Sequence, residues 1–189
     1  MNLGLAYETI DRTDELLSLA GVRRCDIVGE ASFHVDIVAK GLEVAGHEPE
    51  EWIIEGICST DERDIQGETI DQDGIDWTYF NQYGFLNNVH RDGAGDKIGE
   101  PISVERVTLE DGRQATKLRA RLYKHHDDAR KIWQTAKSQT LDKNTKRRLG
   151  FSVQGPVVAR AADDAKNIVR MVATDVAVTG HPINKGSHL

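Results

Sequence analysis

Residues 97–124 read "KIGEPISVERVTLEDGRQATKLRARLYK", and their period decides how the main body of the chain folds. In the second half, Leu118, Ala120 and Leu122 fall on one side, and Lys117, Arg119 and Arg121 on the other. A period of two marks a strand with one face on a core and one face in water. Between the two arms, Asp111-Gly112 suits a tight two-residue turn, so the stretch is expected to form a β-hairpin.

Working outward, the same pattern returns. "EWIIEGICST" (51–60) is a strong strand candidate through Trp52, Ile53, Ile54 and Ile57. "FHVDIVAKGLEVAG" (33–46) sets Phe33, Val35 and Ile37 against His34, Asp36 and Val38 before a Gly-rich turn. Downstream, "RRLGFSVQGPVVAR" (147–160) and "NIVRMVATDVAVTG" (167–180) each read as one strand. One segment breaks the rule: "HDDARKIWQTAKSQTLD" (126–142) places Ala129, Ile132, Trp133, Ala136 and Thr140 on one stripe. That spacing predicts a helix, with acids in its first turn as the helix dipole prefers. A shorter helix is expected from Thr13 to about Gly21. Residues 61–71 are polar and loop-like, and residues 74–90, "GIDWTYFNQYGFLNNVH", mix aromatics and amides without a firm period. "HEPEE" (47–51) marks a break between an N-terminal segment, residues 1–47, and a main body, residues 48–189. The segment has three open roles: a removable pro-segment, a docking arm or an integral layer. The periods alone give a strand-rich α+β domain with one clear helix before its last strands.

Composition narrows the function. The 189 residues suffice for one good-sized domain, and 39% hydrophobic with 29% charged residues suits a folded, soluble chain. A net charge of −7 argues against tight binding to a phosphate backbone, which needs a strong basic patch. No stretch approaches the roughly 18 apolar residues of a membrane span, and the early acids of the N-terminus do not make a signal peptide. Cys25 and Cys58 stand apart, with no CxxC pair and no histidine at metal spacing. A reduced, cytosolic chain is the simplest expectation.

Four places carry candidate chemistry. In "LGFSVQGPVV" (149–158), Gly150, Ser152 and Gln154 share one face, and Gly150 leaves room over the Ser152 hydroxyl. Gly155-Pro156 is expected to break the ladder there, freeing backbone N–H groups near Gly155 for an oxyanion. The plainer alternative is a solvent-facing serine beside a bulge. His90 precedes a Gly- and Asp-rich loop, a common place for functional residues and also for a merely solvated imidazole. His125-His126-Asp127-Asp128 invites a metal reading, but adjacent side chains at a helix start point apart, so a solvated helix N-terminus is favoured. Asp175 stands in a strand apolar on both faces, sharing a side with Val169, Met171, Ala173 and Ala177. A buried carboxylate needs a donor, such as an imidazole N–H, a structural salt bridge or water at a sheet edge.

Taken in order, "IIEGICSTDERDIQGETI", "VHRDGAGDKIGEPISVE", "LGFSVQG" and "TDVAVTGHPIN" resemble the head-maturation (prohead) proteases of tailed bacteriophages, distant relatives of the herpesvirus assembly proteases. The resemblance runs from about Trp52 to Asn184. That family follows its first strand with an acidic loop, then a catalytic His, a serine between hydrophobic residues after a helix, and a closing strand with an acid. The sequence departs from the pattern in carrying Asn-Asn-Val before His90 and Arg91 ahead of Asp92.

The resemblance implies an α+β fold with a small, mostly antiparallel β-barrel core surrounded by helices. It implies a serine endopeptidase with Ser152 as nucleophile, His90 as general base and Asp175 as third member, a position whose identity varies among relatives. It needs no metal and no organic cofactor. Its substrates would be capsid and scaffold proteins, and the protease itself, inside the immature shell within the bacterial host cytoplasm. A homo-oligomer is expected, with no nucleic-acid or membrane partner. The competing expectation is an inactive scaffold or capsid-interior protein of the same fold.

Overall fold

A computed structural model describes residues 29–40, 49–64, 66–91, 93–142 and 144–180. The helix expected from Thr13, the boundary at residue 47, and His181 with the Pro-Ile-Asn tripeptide all lie outside them.

The hairpin that opened the reading is present. β6 (Lys97–Thr108) pairs antiparallel with β7 (Gln114–Leu122), from Gly99 opposite Leu122 to Thr108 opposite Gln114. Its turn is one residue longer than expected. Leu109 N–H donates to Arg113 C=O at 2.9 Å, Gly112 N–H to Leu109 C=O at 2.9 Å, and Gly112 has a φ of 87°. A three-residue loop closed by a glycine in the left-handed region is the usual alternative to a two-residue turn. The faces divide as the period requires: Leu118, Ala120 and Leu122 are buried, whereas Arg119 and Arg121 are exposed.

The remaining strands are β1 (Gly29–Lys40), β2 (Trp52–Thr60), β3 (Thr69–Ile70), β4 (Ile75–Asp76), β5 (Leu86–Asn88), β8 (Gly150–Arg160), β9 (Asn167–Val172) and β10 (Asp175–Thr179). They form one sheet in the order β1-β2-β7-β6-β5-β10-β8-β9-β3, with β4 also on β9 and β1 also pairing β8. β1 belongs to residues 1–47, and its pairings with β2 and β8 make that strand a member of the sheet. Three pairings are parallel: β10–β5, β3–β9 and β4–β9.

Two α-helices occur among the described residues: α1 (Thr78–Tyr83) and α2 (Asp127–Leu141). α2 buries the expected stripe of Ala129, Ile132, Trp133 and Ala136. Trp133 stacks on Trp52 of β2, with 5.6 Å between ring centroids and 7° between planes. The Thr140 hydroxyl accepts the Ala39 N–H at 3.1 Å, tying the end of α2 to β1.

The expected class is therefore corrected. Instead of an α+β barrel core surrounded by helices, the described residues are mostly β, with ten strands in one mixed sheet and two α-helices that do not surround a core. The physical reason is supply: a single described segment has the length and apolar stripe to cover a sheet, and it covers one side near β1 and β2. Phe151, Val153, Val176 and Val178 bury into the same cluster as Ile54, Leu118 and Ile98, all at 1% exposure or less.

Candidate functional site

Ser152 sits mid-strand in β8 and is 1% exposed, so it is a buried serine and not a solvent-facing one. Its register partners are Ala177 of β10 and His34 of β1. Directly opposed residues point their side chains to the same face of a sheet. Asp175 is opposite Gln154, two pairs along, so Asp175, Ala177, Gln154 and Ser152 share a face. This is the face turned away from Phe151, Val153, Val176 and Val178.

The strand expected over 167–180 is two strands. Ala173 and Thr174 turn out of the ladder: Ala173 N–H donates to Asp76 C=O at 2.9 Å and Thr174 N–H to Gln154 C=O at 3.0 Å. The kink brings the Val172 carbonyl against Gly155, where an added Cβ would lie 1.8 Å from that oxygen. β8 runs unbroken through Gly155 and Pro156, which face Ala31 and Glu30 of β1. Against β1 the ladder is continuous at Gly155, whereas on the other edge β8 passes from β10 to β9 between Gln154 and Val157, and the missing side chain of Gly155 is explained by close backbone approach.

Asp175 starts β10 and is half-buried. Asn87 Nδ2 donates to its Oδ1 at 2.9 Å and the Thr174 hydroxyl to its Oδ2 at 3.3 Å. One of the donors that a half-buried carboxylate needs is thus an amide from β5. Asn87 is 2% exposed and is the register partner of Ala177, the residue that also faces Ser152. Asn88, pointing to the opposite face, donates to Asp128 Oδ2 at 2.9 Å on α2. The Lys131 ammonium and the Asn88 amide together hold the Asp128 carboxyl below its usual range. β5 is pinned on both faces.

His90 follows at once, on a turn with unusual backbone. Val89 and His90 both have a φ of 55°, and Arg91 N–H donates to Asn88 C=O at 3.2 Å. Two central residues at positive φ closed by that bond make a type I′ turn, which favours Asn-Gly. A β-branched residue there is a true outlier, and such strain persists only where surrounding contacts hold it. Val89 N–H donates to Val178 C=O at 3.2 Å, so the turn is fastened to β10. β5, β10 and β8 are consecutive in the sheet, and they carry His90, Asp175 and Ser152 respectively, with His90 on the turn that leaves β5.

The His125–Asp128 run has a structural use. His126 caps α2: Nδ1 accepts the N–H groups of Asp128 and Ala129 at 3.2 and 3.4 Å, while Nε2 bonds Gly95 C=O at 2.7 Å. Cys58 is fully buried, its thiol raised by burial and turned to Thr116 C=O at 3.3 Å. Among the described residues no group of three or more His, Cys, Asp or Glu is placed to hold a metal.

Sequence reasoning missed Asn87. The usable signal for Asn87 was an amide pair inside an apolar run, "FLNNV", where one amide must face inward. Compared with protein-family models, curated proteins and solved structures, the chain matches none.

Proposed function

We propose that the chain is a serine endopeptidase of the prohead-protease kind. In this reading Ser152 Oγ attacks a peptide carbonyl, His90 takes its proton and returns it to the leaving amine, and Asp175 stabilises the imidazolium. Water then hydrolyses the acyl-enzyme by the same route. The substrates are scaffold and capsid proteins and the chain itself, within an assembling shell in a bacterial host, the enzyme acting as a homo-oligomer. The chemistry calls on no metal or cofactor.

One observation carries the reading: a buried serine and a hydrogen-bonded carboxylate share one face of adjoining strands, beside a strained turn bearing His90. Strain of this kind clusters at functional sites. A second reading, an inactive scaffold protein, draws support from the 1% exposure of Ser152, since a nucleophile must be reached by its substrate.

The test is labelling of the full chain with a fluorophosphonate, together with self-cleavage on incubation. Labelling lost in both Ser152→Ala and His90→Ala supports the endopeptidase. Labelling that persists in a folded His90→Ala would remove His90 as the base. A folded wild-type chain that neither labels nor cleaves, alone or after assembly with a shell, leaves the scaffold reading standing.

A further inference from the structure

Asn87 places a costly polar side chain beside the candidate site. It is 2% exposed, and while Nδ2 is committed to Asp175, its Oδ1 is buried without a hydrogen-bond partner. A buried, unsatisfied carbonyl oxygen destabilises a fold, and an apolar residue of similar shape would avoid that cost. β5 around it has no other need of an amide: Leu86 is fully buried in the core, and Asn88 serves α2 on the other face. The one thing the Asn87 amide does in the structure is hold the Asp175 carboxylate.

We infer that Asn87 is a positioning residue of the serine site, fixing the Asp175 carboxylate in place; this rests on the triad reading above. The physical basis is that an N–H donor restricts the rotation of the carboxylate that accepts from it. The register adds geometry. Asn87, Ala177 and Ser152 lie in one row across β5, β10 and β8, and Asp175 is two pairs along on the same face. The amide reaches diagonally to Asp175, so the row bearing the serine and the carboxylate is braced from the strand that also launches the His90 turn. Asn87 touches no reacting atom in this scheme; it acts through Asp175.

The experiment measures the limiting rate and the half-saturating concentration of fluorophosphonate labelling at Ser152 in four full-length chains: wild type, Asn87→Leu, Asp175→Ala and the double variant. Active sites are counted by the labelling endpoint and folding by thermal unfolding; Asn87→Thr replaces Asn87→Leu should the latter not fold. The expected result is a roughly tenfold slower limiting rate for Asn87→Leu with its half-saturating concentration unchanged. In the Asp175→Ala background, losing Asn87 should add nothing, because two residues acting as a unit are non-additive. A purely structural Asn87 would lower the melting temperature and leave the rate per labelled site unchanged, and that outcome overturns the inference. So does a rate loss that multiplies in the double variant. If wild type is not labelled at Ser152, or Ser152→Ala labels equally, the triad reading itself fails and takes this inference with it.

Discussion

Ser152 and Ala177 face each other across the β8–β10 ladder, and Ala177 is also the partner of Asn87. The smallest side chain that keeps a Cβ separates a hydroxyl from an amide. The candidate site is thereby a flat row on one sheet face, and its parts can be altered separately.

Asp175→Asn should stay folded. The Asn87 amide can turn over, so that its unsatisfied Oδ1 accepts from the new amide at position 175. On the proposed triad reading, turnover per folded molecule should fall about a hundredfold, since an amide would not stabilise an imidazolium and would favour the wrong tautomer. Self-cleavage and thermal unfolding measured on the same variant decide the matter. Unchanged turnover would remove Asp175 from the site.

Gly155→Ala should destabilise the chain by about 1–3 kcal/mol or more, because its Cβ meets a backbone oxygen that cannot rotate away. The kink at Val172 and Thr174 would have to shift, and Asp175 follows it directly. Urea unfolding should show a lower midpoint at an unchanged slope. A variant as stable as wild type would mean that the kink yields freely.

Val89→Asn should stabilise by about 1 kcal/mol, since asparagine tolerates the left-handed region that a β-branched residue resists. Val89 is 50% exposed, so little burial is lost in the exchange. A rise in melting temperature is the expected reading; a fall would show that the side chain itself holds the turn.

Acid should weaken the attachment of β1. Burial raises the Glu55 carboxyl, but bonds from Lys40 at 2.8 Å and Lys117 at 3.1 Å outweigh it and hold the group below its ordinary 4.5. A depressed acid stabilises the fold fully above its unfolded value, and that stability is lost as pH falls through the folded value. Glu55→Gln should therefore be less stable than wild type at about pH 6, with the gap closing towards about pH 3. A gap constant with pH would show that the pairs contribute nothing.

Period-two segments were the legible part of the sequence. Leu118, Ala120 and Leu122 declared their face, and so did Ala129 and Trp133 on α2, because burial of one face leaves a direct trace in residue type. Residues 74–90 were opaque for a physical reason: β4, α1 and β5 are two, six and three residues long, too short for any period to repeat. The kink at Ala173-Thr174 was equally hidden, since small residues sit in a strand or out of it without a change of pattern. The two positive φ angles at Val89 and His90 could not be read, because the residue types argue against them. Of the site, Ser152 and Asp175 were visible as polar residues in apolar strands, whereas their shared face and the Asn87 contact depend on register between distant strands.

That distance sets the order in which the molecule can be completed. Asn87 and Asp175 are 88 positions apart, and the parallel pairing of β5 with β10 joins them through a strand near the end of the described chain. Contacts of such separation form late, after the local hairpin of β6 and β7 has closed. During synthesis the N-terminal part leaves the ribosome first, so β5 waits with its amide unpaired until β10 has emerged. A stalled or truncated product lacking β10 would leave the Asn87 amide without its Asp175 partner, and β5 and β8 without the strand that lies between them. The strand order thus makes the face that carries Ser152 one of the last parts of the sheet to be assembled.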